Sequence, residues 1–306
     1  MKRPILLTLC ASALALARTA VPFGGGPQVP HPAPEYTIEA IRYASVAGFP
    51  KASLVMGAPR DERVDIALVI WLIRRRPGAS DPAAGAGAGS TAGGGRIILF
   101  DSGYHRAKWT EQFKVTDFLP PDEAVRLAGV EPAQVTDVII SHAHWDHLGG
   151  LDRFPNATVW IQRAEYDYYT GEAWQPGGRK GGIDPDDITE LVRRNLRGQV
   201  RLVNGDNIEV LPGIRVFTGA RHTYASQYVR VDGAPPFVLA SDNCYLYENL
   251  ATHRASATFD RSDESANLAA HQRMIQLAGS PQRVVPGHDP AQFTRFPAQG
   301  RIARIR

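Results

Sequence analysis

The sequence predicts an α+β fold in which β-sheets are covered by helices. Nine short runs of apolar or alternating residues have the pattern of strands. After the first three of these runs, strands are mixed with four segments that have helical spacing. Strands that come first and then mix with helices favour this arrangement over an all-β sandwich or a helical bundle. The chain has 306 residues, of which 43% are hydrophobic, so it can build a substantial core.

The N-terminal residues predict export. Lys2 and Arg3 precede an apolar run, and Ala15 and Ala17 are the small residues that a signal peptidase needs. We therefore expect a signal peptide over residues 1–17 and a secreted or periplasmic protein, with a retained N-terminal anchor as the alternative. The run is shorter than the roughly 20 apolar residues of a membrane span. No stable membrane insertion is expected once the signal is removed.

Two further segments have a biased composition. Residues 18–35 are rich in proline and glycine, and we expect them to form an extended lead-in to a single domain over residues 36–306. Residues 77–95 contain seven glycines and lie between two predicted strands. This composition offers too few apolar groups to pack, so it predicts a flexible loop.

The remaining elements follow from periodicity. Apolar or alternating runs predict strands, and apolar positions three or four residues apart predict helices. The predicted strands cover residues 37–45, 64–73, 97–100, 135–141, 158–162, 200–203, 214–218, 227–231 and 237–240. The predicted helices cover residues 121–128, 163–169, 185–196 and 263–277. Asp184 and Asp263 stand at the start of the last two helices, where an aspartate can cap the first turn.

Charge and cysteine content exclude several classes of protein. The formal net charge is only +3 and the basic residues are scattered, so the sequence lacks the clustered positive charge of a nucleic-acid-binding protein. The hydrophobic fraction excludes a wholly disordered chain. Two cysteines, Cys10 and Cys244, cannot form a disulfide framework or a cysteine-rich zinc module.

The residues that carry chemistry are concentrated in residues 141–150, SHAHWDHLGG, directly after an apolar strand. His142, His144 and Asp146 are spaced by two, so in an extended segment they point the same way. His147 joins them if a helix begins there, and the two glycines that follow let the backbone pass close to the site. Three imidazoles and a carboxylate this close together favour a divalent metal, which binds the neutral rings and the carboxylate.

This segment resembles the metal-binding motif of the metallo-β-lactamase superfamily, and the resemblance covers roughly the whole domain. It implies a four-layer αββα sandwich with the site at one edge of the two sheets. Four further segments resemble other parts of that site, in the expected order and each after an apolar run: residues 99–103 (LFDSG), 218–223 (TGARHT), 240–242 (ASD) and 285–289 (VPGHD). In the first of them, the resemblance implies that Asp101 orients a ligand histidine.

The resemblance implies a site for two metals. His142, His144 and His222 would hold one metal, Asp146, His147 and His288 would hold the other, and Asp242 would bridge them. Five imidazoles and two carboxylates suit Zn²⁺, which is the expected ion, and they also accept iron, manganese or cobalt. Two such metals lower the pKa of a shared water toward about 7 and supply hydroxide at neutral pH. The presence of both Asp242 and His288 argues against the single-iron sulfur dioxygenases.

Residues after Asp242 resemble the N-acyl-homoserine lactone lactonases, which are quorum-quenching members of the superfamily. Tyr245 stands three residues after Asp242, where those enzymes have a tyrosine that reaches the substrate carbonyl. The resemblance implies that a metal-bridging hydroxide attacks the lactone carbonyl while the Tyr245 hydroxyl meets the oxyanion. Asp146 is the candidate to protonate the leaving oxygen. The alternative interpretation of Tyr245 is a ring packed beside the metals.

The loop that carries His222 departs from the lactonase pattern. Those enzymes commonly have Gly-His-Thr-Pro-Gly-His there, whereas residues 221–226 of this chain read RHTYAS. The ligand is kept, but Tyr224 adds bulk, so the loop must differ and the acyl-chain preference is not carried over from the resemblance. Trp145 is expected at the pocket wall. The residues Trp109, Phe113, Phe118 and Leu119 could line an apolar slot for an acyl chain or pack in the core.

The sequence thus predicts an exported dinuclear hydrolase that opens N-acyl-homoserine lactones. Another dinuclear hydrolase of the superfamily, such as a β-lactamase, thioesterase or phosphodiesterase, is the first alternative, because one fold serves many ester-like bonds. A non-enzymatic metal-binding protein is the second. The expected partner is a small lactone or ester, nucleic acid is not expected, and formation of a homo-oligomer is left open.

Overall fold

The computed structural model describes residues 36–75 and 95–306. The signal peptide predicted for residues 1–17, the lead-in predicted for 18–35, and all but the last residue of the loop predicted for 77–95 lie outside the described residues. Within them, the strands form two sheets, one of eight strands and one of five.

The strands are numbered here in chain order. They are β1 (Tyr36–Pro50), β2 (Arg63–Arg75), β3 (Ile97–Phe100), β4 (Asp137–Ile139), β5 (Thr158–Gln162), β6 (Val200–Val203), β7 (Ile208–Leu211), β8 (Ile214–Thr218), β9 (Gln227–Val231), β10 (Phe237–Ser241), β11 (Val284–Pro286), β12 (Ala298–Gln299) and β13 (Ile302–Arg304). The larger sheet has the order β12-β13-β1-β2-β3-β4-β5-β6, and the smaller has the order β11-β10-β9-β8-β7. Strands β3 to β6 are parallel to one another, as are β10 and β11, and the other neighbours are antiparallel.

The helices lie in the connections between these strands. They are α1 (Ala107–Phe113), α2 (Pro121–Leu127), α3 (Trp145–Leu148), α4 (Arg163–Thr170), α5 (Pro185–Leu196), α6 (Tyr247–Thr252), α7 (Glu264–Ala278) and α8 (Gln292–Arg295). Helix α5 follows its predicted bounds because the Asp184 carboxylate accepts a hydrogen bond from the Asp186 N–H at 3.1 Å and Pro185 fits the first turn. Asp263 precedes α7 as predicted, but its side chain makes no capping hydrogen bond.

Strand β2 shows how the layers are packed. Its even positions, such as Leu68 and Ile70, belong to the core between the larger sheet and the helices, whereas Val69 and Trp71 belong to the core between the two sheets. Successive side chains of a strand point to opposite faces, so a strand buried on both faces is a continuous apolar run. This explains why the pattern of residues 64–73 is apolar throughout rather than alternating.

Three apolar layers hold the four structural layers together. One lies between the larger sheet and its helices, and a second lies between the sheets. The third joins the outer face of the smaller sheet to α7, where Phe217 and Val238 pack with Met274. The four-layer αββα sandwich predicted from the sequence is therefore confirmed.

Most differences from the predicted elements concern short ones, although β1 runs to Pro50, five residues past its predicted end. Strand β4 occupies only Asp137–Ile139 of the predicted residues 135–141, because the chain turns away from the sheet to form the motif loop. Strands β7, β11, β12 and β13 were not predicted, nor were the short helices α1, α6 and α8, whereas α3 is the helix on which the expected placement of His147 depended. Elements this short offer few positions in which a period can be recognised, so some of them are missed.

The glycine pair after the motif has the role that the sequence predicts. A Cβ atom on Gly150 would lie 2.0 Å from the carbonyl oxygen of Ser102, and one on Gly149 would lie 2.4 Å from that of Trp145. Only glycine leaves room for the backbone at these distances.

Across residues 36–75 and 95–306, no helix has both the length and the apolar character of a membrane span.

Candidate metal centre

Strand ends from both sheets meet at one edge of the sandwich. His142 and His144 follow β4 of the larger sheet, and Asp146 and His147 lie on α3 directly after them. The remaining proposed ligands follow strands of the smaller sheet. His222 comes after β8, Asp242 after β10 and His288 after β11. The structure thus brings the seven proposed ligands together from four separated segments.

The first group of side chains contains three imidazoles and one carboxylate. His144 Nδ1 lies 3.0 Å from His142 Nε2 and 3.0 Å from His222 Nε2. Asp242 Oδ2 lies 3.3 Å from His222 Nε2 and 3.7 Å from His142 Nε2. Each of the four residues therefore offers one possible ligand atom, and these four atoms lie within 4.8 Å of one another.

The second group contains Asp146, His147 and His288. Asp146 Oδ2 lies 3.4 Å from His147 Nε2 and 3.6 Å from His288 Nε2. The other oxygen of Asp242, Oδ1, lies 3.3 Å from His147 Nε2 and 2.9 Å from His288 Nε2. Asp242 thus faces the first group with one oxygen and the second group with the other, which is the geometry of a bridging ligand.

The polar atoms at the centre are arranged to bind two cations rather than to form hydrogen bonds with one another. His147 Nε2 and Asp242 Oδ1 are buried and have no partner with hydrogen-bond geometry among residues 36–75 and 95–306. A buried polar atom without a partner costs roughly 1–3 kcal/mol, and a bound cation removes that cost. Imidazole nitrogens and carboxylate oxygens are also the ligands of zinc and related divalent metals. The residues present therefore fit a dinuclear metal site.

Hydrogen bonds on the far side of the rings fix which nitrogen faces the centre. His147 Nδ1 lies 2.8 Å from Asp101 Oδ2, His288 Nδ1 lies 2.9 Å from the Ala67 carbonyl oxygen, and His222 Nδ1 lies 3.2 Å from that of Ala257. In each pair the ring N–H donates to the oxygen, which leaves the Nε2 lone pair free for a metal. The contact of Asp101 with a ligand histidine agrees with the role that the family resemblance implies.

Asp101 also reaches a second ring through a serine. Ser141 Oγ donates to Asp101 Oδ2 at 2.9 Å and lies 2.8 Å from His142 Nδ1. Ser241 Oγ donates to the same Asp101 oxygen at 2.9 Å. One buried carboxylate therefore holds residues beside both groups. The sequence pattern indicated Asp101 but gave no sign of Ser241.

Burial and charge set the protonation of the rings. Burial, together with the neighbouring His222, lowers the pKa of His144 to about 3, and burial also lowers the pKa of His142 well below its usual range. These rings are neutral at pH 7, as metal ligands must be. Burial disfavours the charged form of His147 as well, but the carboxylates of Asp146 and Asp242 outweigh it and raise its pKa.

Tyr245 lies at the edge of the first group. Its hydroxyl oxygen is 3.4 Å from both ring nitrogens of His222, and its ring stacks on His288 with the centroids 5.6 Å apart. Burial and the nearby Asp242 raise the pKa of Tyr245 well above its usual range, so the hydroxyl keeps its proton and can donate. The structure therefore places this ring beside the proposed ligands, as both interpretations of the sequence required.

A cavity of about 280 Å³ opens onto these residues. His144, Asp146, Asp242, Tyr245 and His288 form its polar floor. Its other walls are mostly apolar and are lined by Val46, Phe49, Leu54, Ile66, Leu68, Phe113 and Trp145. Five of those seven come from β1, β2 and the turn between them, 74 to 96 residues before His142. No local sequence signal connects that hairpin with the site.

The aromatic residues singled out from the sequence divide into two groups. Phe113 and Trp145 line the cavity, whereas Trp109 stacks behind Trp145 with the centroids 5.1 Å apart. Phe118 and Leu119 pack against the core, which was their alternative interpretation. Tyr224 is not among the residues lining this cavity. Its ring stacks on Tyr168 at a centroid distance of 4.0 Å, so its bulk is accommodated beside the site.

Comparison with known proteins agrees with this geometry. The model of the metallo-β-lactamase superfamily matches residues 91–288. An N-acyl homoserine lactonase, AttM, of Rhizobium johnstonii is 31% identical over 180 residues, which are 57% of this chain and 65% of that protein. An N-acyl homoserine lactonase of a Bacillus species is 28% identical over 193 residues, 62% of this chain and 68% of that protein. The match to AttM spans slightly less than two thirds of its length.

Solved structures show the same fold. A quorum-quenching N-acyl homoserine lactone lactonase superposes with a TM-score of 0.62 and 18% identity, covering 84% of this chain and 93% of that chain. AidC, a dizinc quorum-quenching lactonase solved with a product, superposes with a TM-score of 0.58 and 16% identity, covering 84% and 89%. At these identities the structures support the fold rather than the substrate.

Proposed function

The chain belongs to the metallo-β-lactamase superfamily, and we propose that it is a dinuclear metal-dependent hydrolase that opens the lactone ring of N-acyl-homoserine lactones. The observation that carries the proposal is Asp242, whose two oxygens face two separate groups of ligands beside the Tyr245 hydroxyl. The lactonase names of the relatives support the choice of substrate.

We propose zinc as the metal. His142, His144, His222 and Asp242 would hold one ion, and Asp146, His147, His288 and Asp242 would hold the other. When bound, two such cations activate water as a nucleophile and polarise the substrate carbonyl. The nitrogen-rich ligand set supports zinc, and the dizinc lactonase AidC has the same fold.

The side chains supply positioning and proton transfer. The Tyr245 hydroxyl donates a hydrogen bond to the carbonyl oxygen as negative charge develops there. Asp146 takes up the proton of the attacking water and passes it to the ring oxygen as the C–O bond breaks, giving the N-acyl homoserine. The apolar wall formed by Val46, Leu54 and Leu68 packs against the acyl chain and keeps water from it.

The test is a comparison of substrates. We expect purified protein to hydrolyse short- and long-chain acyl-homoserine lactones at least about tenfold faster, in kcat/KM, than a chromogenic cephalosporin, a thioester or a phosphodiester. A chelator should abolish the activity and added zinc should restore it, because in the proposed reaction the two cations activate the water. Preferential turnover of any of the other three substrates would replace the lactonase proposal by that activity.

We also propose that the protein is exported. Lys2, Arg3 and the apolar run that ends in Ala15-Leu16-Ala17 support a cleaved signal peptide. Mature protein from the periplasm or medium should begin at Arg18 in N-terminal sequencing. A cytoplasmic pool with an intact N-terminus would contradict export without affecting the proposed chemistry.

A further inference from the structure

Glu165 is a buried carboxylate that the proposed reaction does not use. It lies in the first turn of α4, has no solvent exposure and does not line the cavity. Burying a carboxylate costs free energy, because the charged form loses its hydration. Burial raises the pKa of Glu165 to about 7, although its three hydrogen bonds act in the opposite direction.

The three donors come from the two loops that carry the three histidines of the first group. Glu165 Oε1 accepts from the backbone N–H of Ala143 at 2.9 Å and from the Thr223 hydroxyl at 2.7 Å. Glu165 Oε2 accepts from the backbone N–H of Ala225 at 2.6 Å. Ala143 stands between His142 and His144, and Thr223 directly follows His222.

The carboxylate therefore joins two segments that are far apart in the chain. The motif loop follows β4 of the larger sheet, whereas the loop of His222 follows β8 of the smaller sheet. Each loop places ligands in the first group, so the spacing of the three imidazoles depends on how the loops are held relative to each other. The ligands of the second group, Asp146, His147 and His288, have no contact of this kind with Glu165.

We propose that Glu165 is a positioning residue that sets the spacing of His142, His144 and His222 and thereby the affinity of the first metal site alone. The inference rests on the proposed two-metal centre, and it does not depend on which substrate is hydrolysed. Partners outside the direct ligands typically change metal affinity by about 10- to 100-fold. Glu165→Gln keeps the size of the side chain but turns an amide N–H toward the Ala225 N–H, so one of the three bonds becomes a repulsive contact.

The test measures zinc affinity at each site separately. In a His288→Ala background the first site is intact, and Glu165→Gln should weaken zinc binding about 10- to 100-fold in competition with a chelating dye. In a His144→Ala background the second site is intact, and the same substitution should change affinity less than about threefold. Glu172→Gln, which removes an exposed carboxylate just after the same helix, is the matched control and should change neither affinity.

A second variant keeps the test decisive if Glu165→Gln does not fold. Thr223→Val removes one hydroxyl donor and leaves both backbone bonds, so it should weaken only the first site, by a few-fold. Circular dichroism and melting of the metal-free proteins check folding. Equal losses at both sites, or unchanged zinc affinity at the first site in a folded variant, would overturn the inference. Because zinc binding is the readout, a failure of the lactonase proposal would appear in the substrate comparison instead.

Discussion

Asp242→Asn is expected to remove metal and activity together. Among the seven proposed ligands, Asp242 is the one that faces both groups, with Oδ2 3.3 Å from His222 Nε2 and Oδ1 2.9 Å from His288 Nε2. An amide in its place offers one neutral oxygen and one N–H group, and the N–H cannot bind a cation. Substituting a residue that only supports the ligands typically costs up to about 100-fold in activity. Because Asp242 is a direct ligand, its substitution should lower kcat/KM by at least about 100-fold.

Elemental analysis of the purified variant checks this expectation. We expect fewer than two metal ions per chain for Asp242→Asn, whereas Asp61→Asn, which changes an exposed carboxylate, should keep the wild-type content. If Asp242→Asn retained two ions per chain, the bridging assignment would be wrong.

Tyr245→Phe is expected to separate catalysis from metal binding. The ring stacks on His288, and phenylalanine preserves that contact while removing only the hydroxyl. The loss of one preorganised donor to a developing oxyanion typically costs about 10²- to 10³-fold in kcat. We therefore expect a decrease of that size against acyl-homoserine lactones, with metal content unchanged.

Tyr247→Phe provides the matched control. Tyr247 lies two residues further along the chain, its hydroxyl has no hydrogen-bond partner in the part of the chain that the structure describes, and it does not line the cavity. Its substitution should leave kcat within about twofold of the wild type. If kcat were equally unaffected by Tyr245→Phe, Tyr245 would be a packed ring with no part in the reaction, which is the alternative that the sequence left open.

Different kinds of sequence information predicted the fold and the clustered site residues. The strands that are buried on both faces, such as β2, have apolar runs long enough to recognise. His142, His144, Asp146 and His147 lie within six consecutive residues, so their spacing alone indicates a metal site. His222, Asp242 and His288 lie in segments that local patterns cannot connect. They were proposed through family resemblance, and the structure places them beside the motif.

Other parts of the site depend on contacts between distant segments. The apolar wall comes from the β1–β2 hairpin, which has the composition of any buried hairpin. Glu165 occupies a position that reads as an ordinary helix residue, and its role depends on donors 22, 58 and 60 residues away. Tyr224 departs from the lactonase pattern, and its effect depends on whether it points into the cavity or onto Tyr168. Periodicity and spacing do not contain this information.

The most direct measurement is a zinc titration of the metal-free protein with lactone hydrolysis as the readout. Proton release from an acyl-homoserine lactone is followed as zinc is added in steps. We expect the rate to rise until two equivalents per chain are bound and then to stay constant, because both groups around Asp242 must be filled. A rate that reached its maximum at one equivalent, or no hydrolysis at any zinc content, would contradict a two-metal lactonase.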